Sequence, residues 1–395
     1  MLARRPWLTA IAVWALWAAA IVLFLAVMSS LDAWDDPLHW QRHGGPLWPL
    51  FTWDYGWYET IATYGYPHVA GTVYAFFPLW ALLLRASGGI PDWAWAFGLV
   101  LVSTALAFIG VAIGDGRSGW RAAGALACWP GSFLLLLAYP DALALAAGAW
   151  AAAFALRGRP LLAAAAGAVA AAARPNGVLL AIPLALATRS GPGGRALAAA
   201  GPVAAAAAVQ IFFWRRSGDW QVFFRAQSQP VWQRNGPSRL AKWPSHVASA
   251  FESHALLLVV AAIVAVAVVG LVYRRAGAFA AVAAVYVFVV CALLLGAQQA
   301  STRIESGLAA VAFAALVLAW RRGRAMLPWA LFATAVLAAS FLSGSVTSFG
   351  RQALFAFPLF WAVGDGPRTL RHPLLVAGAV AANVAYALTV VKYTP

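Results

Sequence analysis

Long apolar runs broken by short polar punctuation dominate the chain. A helical span needs roughly 17 to 25 apolar residues, and shorter runs can pass when buried among other helices. Trp7 to Met28 is the first such run. Ser29 to about Val73 then reads as a long loop. Ala75 to Leu84, short and carrying Pro78, reads as a helix lying in the membrane interface. Trp93 to Ile113 crosses back, so residues 29–92 form a first large loop with interfacial helices. Later runs are shorter: Ala122–Ala138, Ala142–Leu156, Leu161–Ala173, Val178–Ala187 and Ala196–Trp214 lead to a second polar loop, 215–253. His254–Tyr273, Ala278–Leu295, Gly307–Trp320, Leu327–Leu342, Leu354–Val363 and Leu374–Val391 follow. The pattern predicts an all-α polytopic membrane protein, one domain over 1–395, with roughly 11 to 13 spans.

Basic residues give that threading a direction. Arg4 and Arg5 precede the first run and place the N-terminus in the cytoplasm. Arg157/Arg159, Arg189/Arg195, Arg274/Arg275, Arg321/Arg322/Arg324 and Arg368/Arg371 then all fall on the same side. The other side collects chemically diverse turns: the Asp54 loop, Tyr139–Pro140–Asp141, Arg174–Pro175–Asn176, Gln298 to Ser306 and Ser343 to Arg351. Ionisable groups at membrane depth are expensive unless they line a site. One active site on the extracytoplasmic face of the cell membrane is therefore expected.

Composition sharpens this. The chain is 63% hydrophobic and 10% charged, against about a quarter charged in soluble domains. The formal net charge is +15, but it is distributed among short turns, where it orients helices. Nucleic-acid binders cluster their cations on one solvated face, so nucleic acid is not an expected partner. Cys128 and Cys291 both lie in apolar runs and read as small buried hydrophobes, without a disulfide framework. No cleavable signal peptide is expected, because the first run is long enough to span and no small-residue cleavage site precedes Asp32.

The stretch FTWDYGWYETIATYGYPHVAGTVYAFFPLWALLLR, from Phe51 to Arg85, is neither a continuous apolar run nor a short basic turn. Asp54 stands between Trp53 and Tyr55, with Trp57, Tyr58 and Glu59 after it. A carboxylate bracketed by flat rings suits gripping a sugar and taking a proton from its hydroxyl. An interfacial aromatic belt that contains an Asp is the alternative. Asp141 opens a helix, where a carboxylate complements the dipole or binds an acceptor. Arg174 ends an apolar run on the outer face, followed by Pro175, Asn176 and Gly177, which stop the helix and turn the chain. Its guanidinium suits bidentate contact with a lipid-linked phosphate, or snorkels to headgroups. Arg351 raises the same two readings. Arg303 is a further cation on that face, able to pair with Glu305. The basic, aromatic 215–253 loop covers a donor phosphate or lies on anionic lipid. Asp32, Asp35 and Asp36 are clustered carboxylates, either solvated or cation-binding. The six histidines show no metal-ligand spacing, with only His39 and His43 four apart. Walker A, CxxC and GxSxG patterns are absent from the sequence.

These segments resemble a known family. WDYGWYETIATYGYP followed by AFFPLWALLLR is similar to the WD-x-x-W-Y…G-Y-P…A-F-F-P-L signature of the PIG-V-type mannosyltransferases. That family includes mannosyltransferase II of GPI-anchor assembly and its bacterial relatives. AYPDALALAAG resembles the family's Y-[ST]-E-S-L-F segment, with Asp141 where Glu is usual. AAARPNG resembles its T-R-x-x-G turn, and SFGRQALFAFPLF its late S-x-x-R-Y segment, with Gln352 in place of the aromatic. The resemblance runs in order over most of the chain and implies a GT-C glycosyltransferase. It implies a polyprenyl-phosphate sugar donor, usually mannose, a glycan or glycolipid acceptor, membrane lipids as surroundings, and inversion at the sugar. It further implies Asp54 as catalytic base, with Arg174, Arg351 and Arg303 as candidates for the donor phosphate. Trp53, Trp57, Tyr58, Glu59, Asp141 and Asn176 are candidates for substrate contact. No cofactor is expected beyond the lipid-linked donor, with a divalent cation left open. A transporter or flippase of a lipid-linked sugar is the rival class, although the sequence shows no two-fold repeat of the kind such folds often carry.

Overall fold

The apolar runs fold as helices, and the places where they break decide the architecture. The structure, a computed structural model, describes residues 6–31, 45–88, 92–117, 119–229, 300–342, 349–366, 383–384 and 386–387. Among these, every regular element is a helix and there is no strand. In chain order the α-helices are α1 (Pro6–Ser30), α2 (Asp54–Tyr64), α3 (Pro78–Arg85), α4 (Asp92–Gly114) and α5 (Trp120–Ala127). Next come α6 (Asp141–Leu156), α7 (Pro160–Ala173), α8 (Ala181–Ala187), α9 (Pro192–Ser217) and α10 (Val222–Gln227). After residue 299 come α11 (Ala300–Arg321), α12 (Leu327–Leu342), α13 (Phe349–Leu354) and α14 (Pro358–Gly364). Three of them, α1, α4 and α9, are long and apolar enough to cross a membrane. The expected runs His254–Tyr273 and Ala278–Leu295, and most of Leu374–Val391, lie outside the described residues. So do Asp32, Asp35, Asp36, His39, His43, Cys291 and the 215–253 loop from residue 230 onward.

Two expected continuous spans are instead interrupted. Ala122–Ala138 stops at α5 and resumes as a 3₁₀ turn, Ser132–Leu136. Pro130 offers no N–H, and Gly131 adopts φ +96°, a conformation open to glycine at little steric cost. A Cβ at Gly131 would also stand 2.9 Å from the Tyr386 ring. Leu354–Val363 shares only Leu354 with α13 and is helical again from Pro358 as α14, with the proline in the first turn, where its missing N–H costs no helical bond. Val178–Ala187 likewise opens with a 3₁₀ turn, Pro175–Leu180, before α8. The helix expected at Ala75–Leu84 forms as α3, with Pro78 in its first turn. It buries Trp80, Ala81 and Leu84 and exposes Leu82. The Trp80 indole donates to the Ala138 carbonyl at 2.9 Å, tying α3 to the chain just before α6.

Small residues let the helices meet closely. A Cβ at Gly201 of α9 would collide with the backbone of Ala164 in α7, and one at Gly167 would lie 3.1 Å from Pro202. Gly110 of α4 faces Ala149 and Trp150 of α6, and the Trp150 indole donates to the Leu106 carbonyl at 3.0 Å. Arg322, at the end of α11, donates to the Trp361 carbonyl and to Asp365 and stands 3.9 Å from Asp115. That arginine fastens α11, α14 and the turn after α4 to one another.

Candidate functional site

Four ionisable side chains meet at four helix ends. Asp54 is the first residue of α2 and Asp141 the first of α6. Arg174 closes α7, and Arg351 lies in the short α13. Carboxylates in first turns and a guanidinium at a C-terminus are the signs a helix dipole favours. Local backbone chemistry thus agrees with the cluster at three of the four positions.

Arg351 is the centre. Its Nε and Nη2 donate to the two oxygens of Asp141 at 3.0 and 2.8 Å, a fork-to-fork geometry only arginine can supply. Its Nη1 donates to Oδ2 of Asp54 at 2.5 Å. Arg174 donates through Nη1 to Oδ1 of Asp141. The carboxylate of Asp141 is 3% exposed, against 18% for Asp54. Two cations and two anions therefore balance. A buried charge without a partner costs several kcal/mol, which is why this set is stable only as a whole. Burial works against the charge of Arg351, but Asp54 and then Tyr139 outweigh it and lift its pKa above the ordinary arginine range.

Tyr139 had no assigned role in the sequence, and it holds two parts of the site. The guanidinium carbon of Arg351 lies 4.5 Å from its ring centroid, within cation–π range. Its hydroxyl donates to the Thr52 carbonyl at 3.0 Å and accepts the Asp54 N–H at 3.3 Å. Between those two residues stands Trp53 at φ +55°, the one positive-φ non-glycine among the described residues. A bulky side chain there is strained by about 1–3 kcal/mol, and such strain persists only where the surroundings impose it. Here the Tyr139 hydroxyl bridges the backbone on either side of it.

Aromatic residues next to Asp54 in sequence pack against other rings of the first loop. Trp53 is buried. Trp57 stacks on Phe76 with centroids 5.9 Å apart, and Tyr58 meets the same ring edge-on at 5.1 Å. Burial, and then the Asp54 carboxylate, hold the Tyr58 phenol above its ordinary range, against the pull of Arg351 and Arg174. It is therefore a neutral phenol beside the charges. Glu59 points elsewhere, accepting from the Tyr55 hydroxyl at 3.4 Å. Asn176 is half-buried in the 3₁₀ turn that follows Arg174. Both oxygens of Asp141, a candidate for substrate contact, accept from arginine donors. Arg303 lies on α11, but its side chain is outside the described residues.

Glu305 is a second residue with an unforeseen position. Its buried carboxylate accepts the Gly350 N–H at 2.6 Å and the Tyr386 hydroxyl, directly behind Arg351 in sequence. The expected pairing with Arg303 involves a side chain outside the described residues. Among the described residues no group of three His, Cys, Asp or Glu side chains stands together as metal ligands. Compared with family models, curated proteins and solved structures, the chain matches none of them.

Proposed function

We propose that the chain is an integral membrane glycosyltransferase of the GT-C type. It moves a hexose, mannose by the resemblance of its first loop, from a polyprenyl phosphate to a glycan or glycolipid acceptor. The reaction face is extracytoplasmic, with the N-terminus in the cytoplasm. The observation that carries this reading is the ion-paired meeting of Asp54 and Arg351, with Asp141 and Arg174, drawn from four separate segments.

One oxygen of Asp54 rests on Arg351, and the other has no hydrogen-bond partner among the described residues. In the proposed reaction that oxygen takes the proton of the acceptor hydroxyl. The hydroxyl oxygen bonds to the anomeric carbon as the bond from that carbon to the phosphate oxygen breaks, inverting the centre. The polyprenyl phosphate leaves with the electron pair. A developing negative charge of this kind needs preorganised donors. Arg351 commits three of its five N–H groups to carboxylates, leaving the second protons of Nη1 and Nη2 for the phosphate. Arg174 is held through Nη1 beside it, and Arg303 is a third candidate. Trp53, Trp57 and Tyr58 form the sugar-facing wall, and Asp141 is the counter-ion that keeps both arginines in place.

The test supplies purified protein with radiolabelled polyprenyl-phosphate mannose and a cell-envelope acceptor extract. Label transfer that falls by about 10²-fold or more in Asp54→Asn, with thermal unfolding unchanged, supports the reading. No transfer by the wild type, with donor translocation across vesicles that survives Asp54→Asn, refutes it and identifies a transporter.

A further inference from the structure

We propose that Glu305 is a positioning residue for Arg351, acting through the backbone of Gly350. This rests on the reading of Arg351 as the donor-phosphate residue. α13 has six residues, too few to be stable alone. Its first N–H groups have no partner within the helix. Glu305, reaching across from α11, accepts one of them, the Gly350 N–H, at 2.6 Å. It is an anionic cap supplied by a different helix, placed where the dipole favours it. The other side of the same residue is also held, since the Trp129 indole donates to the Gly350 carbonyl at 3.1 Å. Gly350 itself has no room to shift. A Cβ there would stand 2.5 Å from Leu308 and 3.4 Å from the Glu305 carboxylate. On the far side of Arg351, the Ser340 hydroxyl donates to the buried Gln352 side chain.

The residues flanking Arg351 are thus fixed by side chains of three other segments. Glu305 is only 5% exposed, so the bond it accepts from Gly350 is made in the interior, where a hydrogen bond to an oxygen acceptor is stronger than in water. What the arrangement secures is the direction of the guanidinium, which must reach Asp54, Asp141 and the phosphate together. The Tyr386 hydroxyl donates to the other Glu305 oxygen and fixes that carboxylate in turn. Tyr386 packs edge-on to Phe133, with centroids 6.0 Å apart.

The experiment compares Glu305→Ala, Glu305→Gln and Tyr386→Phe in the full-length protein in detergent. In Glu305→Ala the donor KM should rise about ten-fold while kcat changes less than about three-fold, as expected when a positioned binding group is loosened. Glu305→Gln keeps an acceptor for Gly350 and should recover most of the loss, and Tyr386→Phe should fall between. An unchanged donor KM in Glu305→Ala overturns the proposal; where that variant does not accumulate, an unchanged KM in Tyr386→Phe does so. A second readout needs no sugar transfer. Thermal unfolding of Glu305→Ala, Arg351→Gln and the double variant should be non-additive, the double losing less than the sum. Additive losses overturn the positioning role. Non-additive losses in a wild type that transfers no sugar keep it and sink the transferase reading instead.

Discussion

Asp141→Asn isolates the charge balance of the site. The substitution is nearly isosteric and leaves the α6 N-terminus in place, yet it removes the one anion both arginines share. Asp141 accepts three charge-assisted bonds, two from Arg351 and one from Arg174. Such bonds each contribute about 1.5–3 kcal/mol. The asparagine keeps one oxygen as acceptor but turns an N–H₂ toward a guanidinium that can only donate. One arginine is left without compensation in a site where its side chain is about 15% exposed. Removing one partner of a buried pair costs about 3–5 kcal/mol, close to what loss of two of the three bonds gives. For a chain of 395 residues that corresponds to a melting-point drop of roughly 4–6 °C. The assay is thermal unfolding in detergent followed by tryptophan fluorescence, with Arg174→Gln and the Asp141→Asn/Arg174→Gln double variant alongside. The double variant restores neutrality and should recover more than half of the loss. A single variant that melts within about 1 °C of the wild type would refute the claim that these four groups are interdependent.

Tyr139→Phe keeps the ring under Arg351 but removes the bonds to Thr52 and Asp54; a loss of about 1–3 kcal/mol in thermal unfolding is expected, with reduced transfer. Trp53→Gly relieves the φ +55° strain of about 1–3 kcal/mol but empties a buried ring site, costing about 3–5 kcal/mol. The net sign should be destabilising, and a raised melting point would show that strain dominates. Gly201→Ala drives a methyl into the Ala164 backbone and should destabilise by at least about 1–3 kcal/mol, with Gly98→Ala, which meets nothing within 4 Å, as the silent control in the same melt.

The helices were legible where hydropathy alone decides. Trp7–Met28, Trp93–Ile113, Ala142–Leu156 and Leu161–Ala173 lie within two residues of α1, α4, α6 and α7 at each end, since a long apolar run has no other stable form where water is scarce. The interrupted helices were not. Pro130–Gly131 and Pro358 were visible, but a proline within an apolar run in lipid is compatible with either a kinked span or a true break. The choice is made by Tyr386 against Gly131 and by Trp361 against Gly114, contacts between residues far apart in the chain. Pattern reading has no access to such contacts.

The charged site was legible for a different reason. Asp54, Asp141, Arg174 and Arg351 stood out because each is an ionisable group at the edge of an apolar run, and their partners are then limited to one another. Asp54 and Arg351 are 297 positions apart, so no local rule pairs them; the scarcity of other partners does. Tyr139 and Glu305 escaped for the converse reason. Tyrosine is common where apolar runs end, and Glu305 had a nearby Arg303 that made a local explanation sufficient. Both act on backbone groups, Tyr139 on Thr52 and Asp54, Glu305 on Gly350. A backbone N–H or carbonyl is present at nearly every residue, so its need for a partner marks no position in sequence. It becomes specific where a helix begins or ends, as at Asp54, the first residue of α2, and at Gly350 near the start of α13.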